Sequence, residues 1–320
     1  MVPHHPPRPV GFRSDLPRWQ QLVSPRWLAG LLAGAEIEAA PARGWRLLEP
    51  GCGGAADFAR GHIAGAAYLD TAQLEHEPLW NKIADDALLA LLLGLGIRHD
   101  TTVILYGRNN LAAARAAHLM LYAGVRDVRL LDGGLQAWCA ADLPLVQGAP
   151  ARCEPAAGFG CPFPARPDYL VDITQVRRLL ARADASVVSI RTREEFIGAS
   201  SGYRYIAVNG DIPGARWGHS GEDGDINSMS AFLDARGCML PAAAITAMWA
   251  ASGIHPDQEV TFYCGTGWRA SLAFFYAWLM GWERIGVYEG GWFEWSRDPA
   301  NPVTCRVAEQ GALPLAGAAA

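Results

Sequence analysis

The segment Tyr263-Cys264-Gly265-Thr266-Gly267-Trp268-Arg269-Ala270-Ser271 places a nucleophile, two glycines and a cation within nine residues. A strand-like run ends at Tyr263, and a helical pattern starts near Ala270. Between them, glycine allows the positive-φ backbone of a tight turn and a close approach of chain to ligand. Successive N–H groups in such a turn form an anion-binding nest, and the start of the next helix adds positive potential. That field favours a cysteine as its thiolate. Arg269 adds a fixed cation. The expected chemistry is attack by the Cys264 sulfur on an anionic substrate, with the product anion held by the same dipoles. A lone cysteine would read more simply as a buried strand end. Here the strand, loop, glycine pair, arginine and helix coincide, and that favours the reactive reading.

The elements that must position this loop occur twice. Val103-Ile104-Leu105-Tyr106-Gly107 leads into an Ala-rich stretch, Gly124, Gly133-Gly134 and Trp138. Val260-Thr261-Phe262-Tyr263-Cys264 leads into a second Ala-rich stretch, Gly281, Gly290-Gly291 and Trp295. One offset of 157 aligns the two without a gap. Gly61-His62-Ile63-Ala64-Gly65-Ala66 also resembles Gly210-Asp211-Ile212-Pro213-Gly214-Ala215. Two copies of one domain is the simplest reading. Strands are predicted at Trp45–Glu49, Thr102–Tyr106, Val128–Leu131, Ser186–Ile190, Glu259–Tyr263 and Ile285–Tyr288. Helices are predicted at Ala84–Leu93, Ala112–Tyr122, Thr174–Ala183, Ala242–Ala251 and Ala270–Leu279. Strands alternating with helices imply an α/β fold, with a mainly parallel sheet flanked by helices in each copy. Ligands bind at the carboxyl ends of such strands. The domains are placed at residues 20–150 and 168–305, joined by a Pro-rich linker at 151–167 that favours extended chain.

The loop, the Ser189-Ile190-Arg191 to Phe196 stretch, Gly210 to Ala215, and Glu289-Gly290-Gly291-Trp292 together resemble the rhodanese (sulfurtransferase) family in its tandem form. The similarity covers residues 20–145 and 168–300. Members with a Cys-Gly-Thr-Gly-Trp-Arg-Ala-Ser loop are thiosulfate sulfurtransferases. The resemblance therefore implies a rhodanese-like fold in each half and a persulfide on Cys264, cradled by loop amides from Gly265, Thr266, Gly267 and Trp268 to Arg269. Arg191 matches a substrate-binding arginine of the family, and Lys82 is a candidate to reach the donor across the domain interface. The implied reaction needs no cofactor. In the first copy Gly107 stands where Cys264 does and Ala112 where Arg269 does, so that half is expected to be non-catalytic and to cover the active loop of its partner.

Related activities diverge at named positions. Cysteine phosphatases need a longer cradle than the four residues between Cys264 and Arg269. Mercaptopyruvate sulfurtransferases, the alternative reading, use two arginines for the substrate carboxylate. Arg191 matches one, whereas Glu195 stands at the other, and Leu79-Trp80-Asn81-Lys82 replaces the segment that carries their histidine. A persulfide carrier or docking protein for a sulfur-relay partner is a further alternative. Glu194-Glu195 reads as a solvated helix start. Trp217 and His219 lie in a segment that often borders the family's pocket. Trp278, Trp282, Trp292 and Trp295 read as packing, and Cys52 as a loop thiol without a role.

The 320 residues suggest two domains at roughly 150 residues each. They are 51% apolar and 18% charged, enough to bury a core, with a net charge of −5. No basic tract points to nucleic acid or an anionic membrane surface. No apolar run reaches the ~20 residues of a bilayer span. Seven scattered cysteines without a Cys-x-x-Cys pair indicate neither a zinc site nor a disulfide scaffold. His4-His5 reads as part of a Pro-rich tail. The expectation is a cytoplasmic monomer (periplasmic if a signal was removed). It would act on a small-molecule sulfur donor and a thiophilic acceptor.

Overall fold

Short β-branched and aromatic runs form the strands, and the alanine-rich runs between them form the helices. The computed structural model describes residues 11–307; His4-His5 lies outside them. In chain order the first half runs β1 (Leu22–Val23), α1 (Pro25–Leu32), β2 (Trp45–Gly51), α2 (Ala55–Arg60), β3 (Ala67–Asp70), β4 (Glu75–His76), β5 (Asn81–Lys82), α3 (Asp85–Gly94), β6 (Thr102–Leu105), α4 (Asn110–Ala123), β7 (Asp127–Leu131) and α5 (Gly134–Ala140). The second half runs β8 (Leu170–Val171), α6 (Ile173–Leu179), β9 (Ala185–Ser189), α7 (Arg193–Ile197), β10 (Arg216–Trp217), α8 (Ala242–Ala251), β11 (Glu259–Tyr263), α9 (Trp268–Leu279), β12 (Ile285–Tyr288) and α10 (Gly291–Arg297).

Each half holds a five-stranded, all-parallel sheet. The orders are β1-β7-β6-β2-β3 and β8-β12-β11-β9-β10, one topology used twice. The two-stranded antiparallel β4–β5 hairpin belongs to the first half alone. Strand β11, strand β12 and helix α8 have the bounds predicted for them. The edge strands β1, β8 and β10 have two residues each, too few to show a period in sequence. Helix α9 starts at Trp268, ahead of the predicted Ala270, because Gly267 in the left-handed region (φ +103°) serves as its N-cap.

The alanine-rich helices α4 and α9 are mostly apolar and are buried on nearly every face. Both lie between the sheets and pack against each other, so one apolar core runs through both halves. The chain before β1 ties the halves together. The Arg13 guanidinium donates to the carbonyls of Met239 (2.5 Å) and Leu240 (2.9 Å), and the Arg18 amide donates to Leu279 (3.1 Å). Residues 151–166 carry neither helix nor strand and run along the end of α4, where the Arg166 amide donates to the Tyr122 carbonyl at 3.0 Å. No described helix is long and apolar enough to cross a membrane.

Candidate active site

Cys264 directly follows β11 at the carboxyl edge of the second sheet. Its carbonyl accepts the Trp292 amide at 2.8 Å, and the Gly265 carbonyl accepts the Phe293 amide at 3.1 Å, which pins the loop to α10. Gly265 has no room for a side chain, because a Cβ there would stand 2.2 Å from the Tyr203 ring. The first intrahelical bond of α9 runs from the Ser271 amide to the Gly267 carbonyl at 2.9 Å. The first-turn amides of a helix have no intrahelical acceptors, and here no side chain caps them. The Gly267 N–H donates to Cys264 Sγ at 3.2 Å. The thiol itself is only 1% exposed and lies beneath the loop.

Behind the thiol is a buried ionic floor. Arg269, 1% exposed, donates to both oxygens of Glu195 at 2.7 and 2.9 Å and to the Tyr203 hydroxyl at 3.2 Å. Its Nε is buried without a partner among the described residues. Glu195 is therefore not at the solvated helix start expected of it. It closes a capping box with Thr192, which turns its carboxylate inward onto Arg269. Burial alone would push the Glu195 carboxyl up, but Arg269 and then Arg191 outweigh it and hold the group at about 2.

Arg191 is the substrate-binding candidate of the sequence. It is fully buried and donates to the Gly210 carbonyl (2.7 Å), the Ser201 carbonyl (3.2 Å) and Glu195 (3.4 Å), and it pairs with Asp211 at 3.3 Å. It supports Glu195 from behind. Trp217 donates its indole N–H to the Arg191 carbonyl at 2.9 Å, and the His219 ring lies tilted against Trp217 with centroids 3.7 Å apart.

The first half completes the site. Glu75 of the hairpin accepts the Trp268 indole N–H at 2.8 Å and Arg115 Nε at 2.6 Å. Arg115 also donates to Glu289 at 2.5 Å. This chain of contacts crosses the interface and ends on the active loop. Burial raises the Glu75 carboxyl above its usual range, against the lowering effect of Arg115. Lys82 reaches across by its backbone rather than by its charge. Its amide donates to Glu289 at 3.0 Å, while its ammonium pairs with Asp85 at 2.7 Å and lies over the Tyr122 ring. That ion pair turns the charge away from the loop.

A cavity of about 630 Å³ opens over this assembly. Thr266, Trp268 and Arg269 form its base, Tyr203 and Tyr205 one wall, and Trp80 and Asp70 of the first half another. Cys52 stands at its rim. Burial raises both tyrosine hydroxyls, so each remains a hydrogen-bond donor at neutral pH. Sequence reasoning missed Glu75, Tyr203 and Tyr205. Glu75 sits on a two-residue strand too short to show a period, and the only cue for Tyr203 and Tyr205 was two aromatics in a Gly/Ser-rich segment. The four tryptophans expected to be packing are indeed buried.

Two like α/β domains, with one thiol in an amide cradle at the carboxyl end of a central strand of the second, define a tandem protein with a single cysteine site. The chain belongs to the rhodanese-like domain family, which it matches over residues 52–141 and 172–298. It is 54% identical over 288 residues to thiosulfate sulfurtransferase YnjE of Escherichia coli K12, covering 90% of this chain and 66% of that protein. This chain thus spans just under two thirds of that relative. The crystal structure of YnjE superposes with a TM-score of 0.88, covering 90% of this chain and 69% of that one. An anaerobic ergothioneine biosynthesis enzyme from Chlorobium limicola, solved with trimethyl histidine, is 38% identical with a TM-score of 0.86, covering 91% and 72%. EanB is 37% identical with a TM-score of 0.87, covering 91% and 70%. Its solved structures include a cysteine persulfide and variants at a tyrosine 59 positions before that cysteine and a threonine two positions after it. Tyr205 and Thr266 stand at the same spacings from Cys264.

Proposed function

We propose that this chain is a thiosulfate sulfurtransferase that works by a ping-pong reaction through a persulfide on Cys264. The observation that carries the reading is the hydrogen bond from the uncapped helix start to sulfur, Gly267 N–H to Cys264 Sγ at 3.2 Å. The Cys264 thiolate attacks the outer sulfur of thiosulfate. A new S–S bond forms, the bond to the sulfonate sulfur breaks, and its electron pair leaves with sulfite. Because the thiol is 1% exposed, the donor approaches by its outer sulfur while the sulfonate stays in the cavity. The persulfide then carries the reactive atom about 2 Å outward.

The amides at the start of α9 and the free Nε of Arg269 stabilise the persulfide anion. The Tyr203 and Tyr205 hydroxyls are placed to donate to oxygen or sulfur that gains charge. Cyanide or a thiolate next attacks the terminal sulfur, and the electron pair of the broken S–S bond returns to Cys264. Arg191 and Lys82 are not assigned to the donor, because each is committed to protein partners. Both halves contribute, since the wall facing the loop comes from the first.

Intact mass after thiosulfate treatment tests the reading. The wild-type chain gains one sulfur and loses it on addition of cyanide, and Cys264→Ser gains none. A sulfur that loads on Cys264→Ser would place the chemistry elsewhere.

A further inference from the structure

The two sheets begin on edges of unlike charge. At the amino ends of β9 and β11, Arg182 pairs with Asp184 and Glu259 at 2.8 and 2.6 Å, and Arg284 stands 3.9 Å from Asp184. Two cations meet two carboxylates there. The matching edge of the first sheet, at the amino ends of β2 and β6, has lost both carboxylates. The Thr102 amide donates to the Gly44 carbonyl at 3.3 Å, as the Glu259 amide does to the Asp184 carbonyl at 2.9 Å. Gly44 therefore stands where Asp184 does, and Thr102 where Glu259 does. Arg46 lies opposite Val103 in register as Ser186 lies opposite Val260, so a cation replaces a hydroxyl. Exposed Arg126 stands at the position of Glu283, while Asp127 is taken up by Arg129 at 2.7 and 2.8 Å.

A cavity of about 390 Å³ opens on this edge, lined by Arg43, Arg46, Arg98 and one carboxylate, Asp100. Arg43 and Arg98 share Asp100 at 2.5 and 3.2 Å. Arg46 has no carboxylate partner among the described residues; the Leu95 and Trp45 carbonyls hold it, both at 3.0 Å. The Gly158 carbonyl holds Arg98 in the same way at 3.0 Å. Carbonyls orient a guanidinium without cancelling its charge, and so less freedom is lost when an anion binds. These bonds use Nε and Nη1 only. The Nη2 of all three arginines makes no hydrogen bond among the described residues. Arg152 and Glu154, on the other side of Arg46, offset one another. Three guanidinium forks with spare donors and one shared carboxylate match the oxygens of a tetrahedral oxyanion. We propose that this edge of the first half binds a small, multiply charged oxyanion of the phosphate type. The site lies at the opposite end of the first sheet from the cavity over Cys264 and does not depend on the persulfide reading.

The test titrates the full chain with inorganic pyrophosphate, inorganic phosphate and acetate by calorimetry at matched ionic strength. Pyrophosphate is expected to bind tightest and acetate not measurably. Arg46→Gln and Arg98→Gln should each weaken pyrophosphate binding at least about tenfold. Arg43→Gln, which alters a largely exposed side chain and spares the fold, should weaken it about threefold or more. Arg182→Gln, on the balanced edge, should leave it within about twofold. Circular dichroism checks the fold of each variant. One measurement needs no variant: pyrophosphate should protect Arg43, Arg46 and Arg98 from phenylglyoxal, as mapped by peptide mass. Absence of pyrophosphate binding by the wild-type chain, equal losses in the Arg46→Gln and Arg182→Gln variants, or protection confined to other arginines overturns the proposal. None of these outcomes touches the persulfide on Cys264, which the thiosulfate mass experiment tests separately.

Discussion

Strands β6 and β11 are the same strand of the repeat, and the loops leaving them are pinned alike. The Leu135 amide donates to the Gly107 carbonyl at 3.0 Å, as the Trp292 amide does to the Cys264 carbonyl at 2.8 Å. Gly134 and Gly291 crowd those carbonyls equally, each with an ideal Cβ 2.5 Å away. The loops differ in what fills the cradle. After β6, the Asn110 side chain accepts the Gly107 amide at 3.1 Å, and Asn109 caps α4 by accepting the Leu111 amide at 3.0 Å. After β11, no side chain caps the helix, and sulfur accepts the amide of Gly267, the residue at the position of Asn110. A helix start satisfied by its own side chains has spent the donors that a ligand would use. The first loop is a closed version of the second, and its half turned to building the cavity wall and the Glu75–Trp268 contact.

The comparison breaks most sharply at the sulfur. Cys264→Ser should abolish thiocyanate formation, a loss of about a thousandfold or more, with an unchanged circular dichroism spectrum. Adding Gly107→Cys to that variant should restore nothing, because Asn109 and Asn110 still occupy the cradle. Persulfide appearing on residue 107 would mean that capping is irrelevant.

Next in size is the ionic floor that the first loop lacks, since Ala112 stands where Arg269 does. Glu195→Ala leaves the buried Arg269 and Arg191 charges uncompensated and should cost about 3–5 kcal/mol in denaturant unfolding. The same pair sets an acid limit. The folded-state Glu195 group sits at about 2, below its unfolded value. Its contribution is complete above that unfolded value and is lost as pH falls toward about 2. Glu195→Gln should flatten the unfolding free energy over that window.

A smaller effect is expected across the interface. Glu75→Gln keeps the shape but halves the charge opposing Arg115, which loosens the Trp268 contact. It should lower kcat for sulfur transfer by roughly fivefold to tenfold with little change in KM, seen in steady-state thiocyanate production. An unchanged kcat would make the contact purely structural.

A further effect, confined to acid pH, concerns His118, buried in α4 beside Arg115 with Nε2 2.9 Å from the Tyr169 carbonyl. Burial, then Arg115, lowers it to about 3. The folded state thus binds fewer protons than the unfolded chain between about 6.5 and about 3. Stability should fall with pH across that window, on the order of 1 kcal/mol per pH unit. His118→Gln should remove this slope in urea unfolding series.

Much of this was legible in residue order, because the cues were local. Hydrogen bonds within nine residues build the cradle, so Cys264, the two glycines and the following helix announce it. The repeat showed because one offset preserves Gly134 and Gly291, which crowd the loop carbonyls, and Trp138 and Trp295, whose indoles donate to the Pro144 and Pro302 carbonyls. Tertiary structure alone decided the electrostatics. Arg269 read as a free cation and Glu195 as a solvated carboxylate, yet the fold brings them together across 74 positions. Arg191 and Lys82 likewise have the right charge for a donor, and the fold assigns that charge to Asp211, Glu195 and Asp85. Residue order specifies which groups can carry charge. How far each charge is neutralised depends on partners that only packing brings within a few ångströms, and Coulomb energy depends on that distance and on burial.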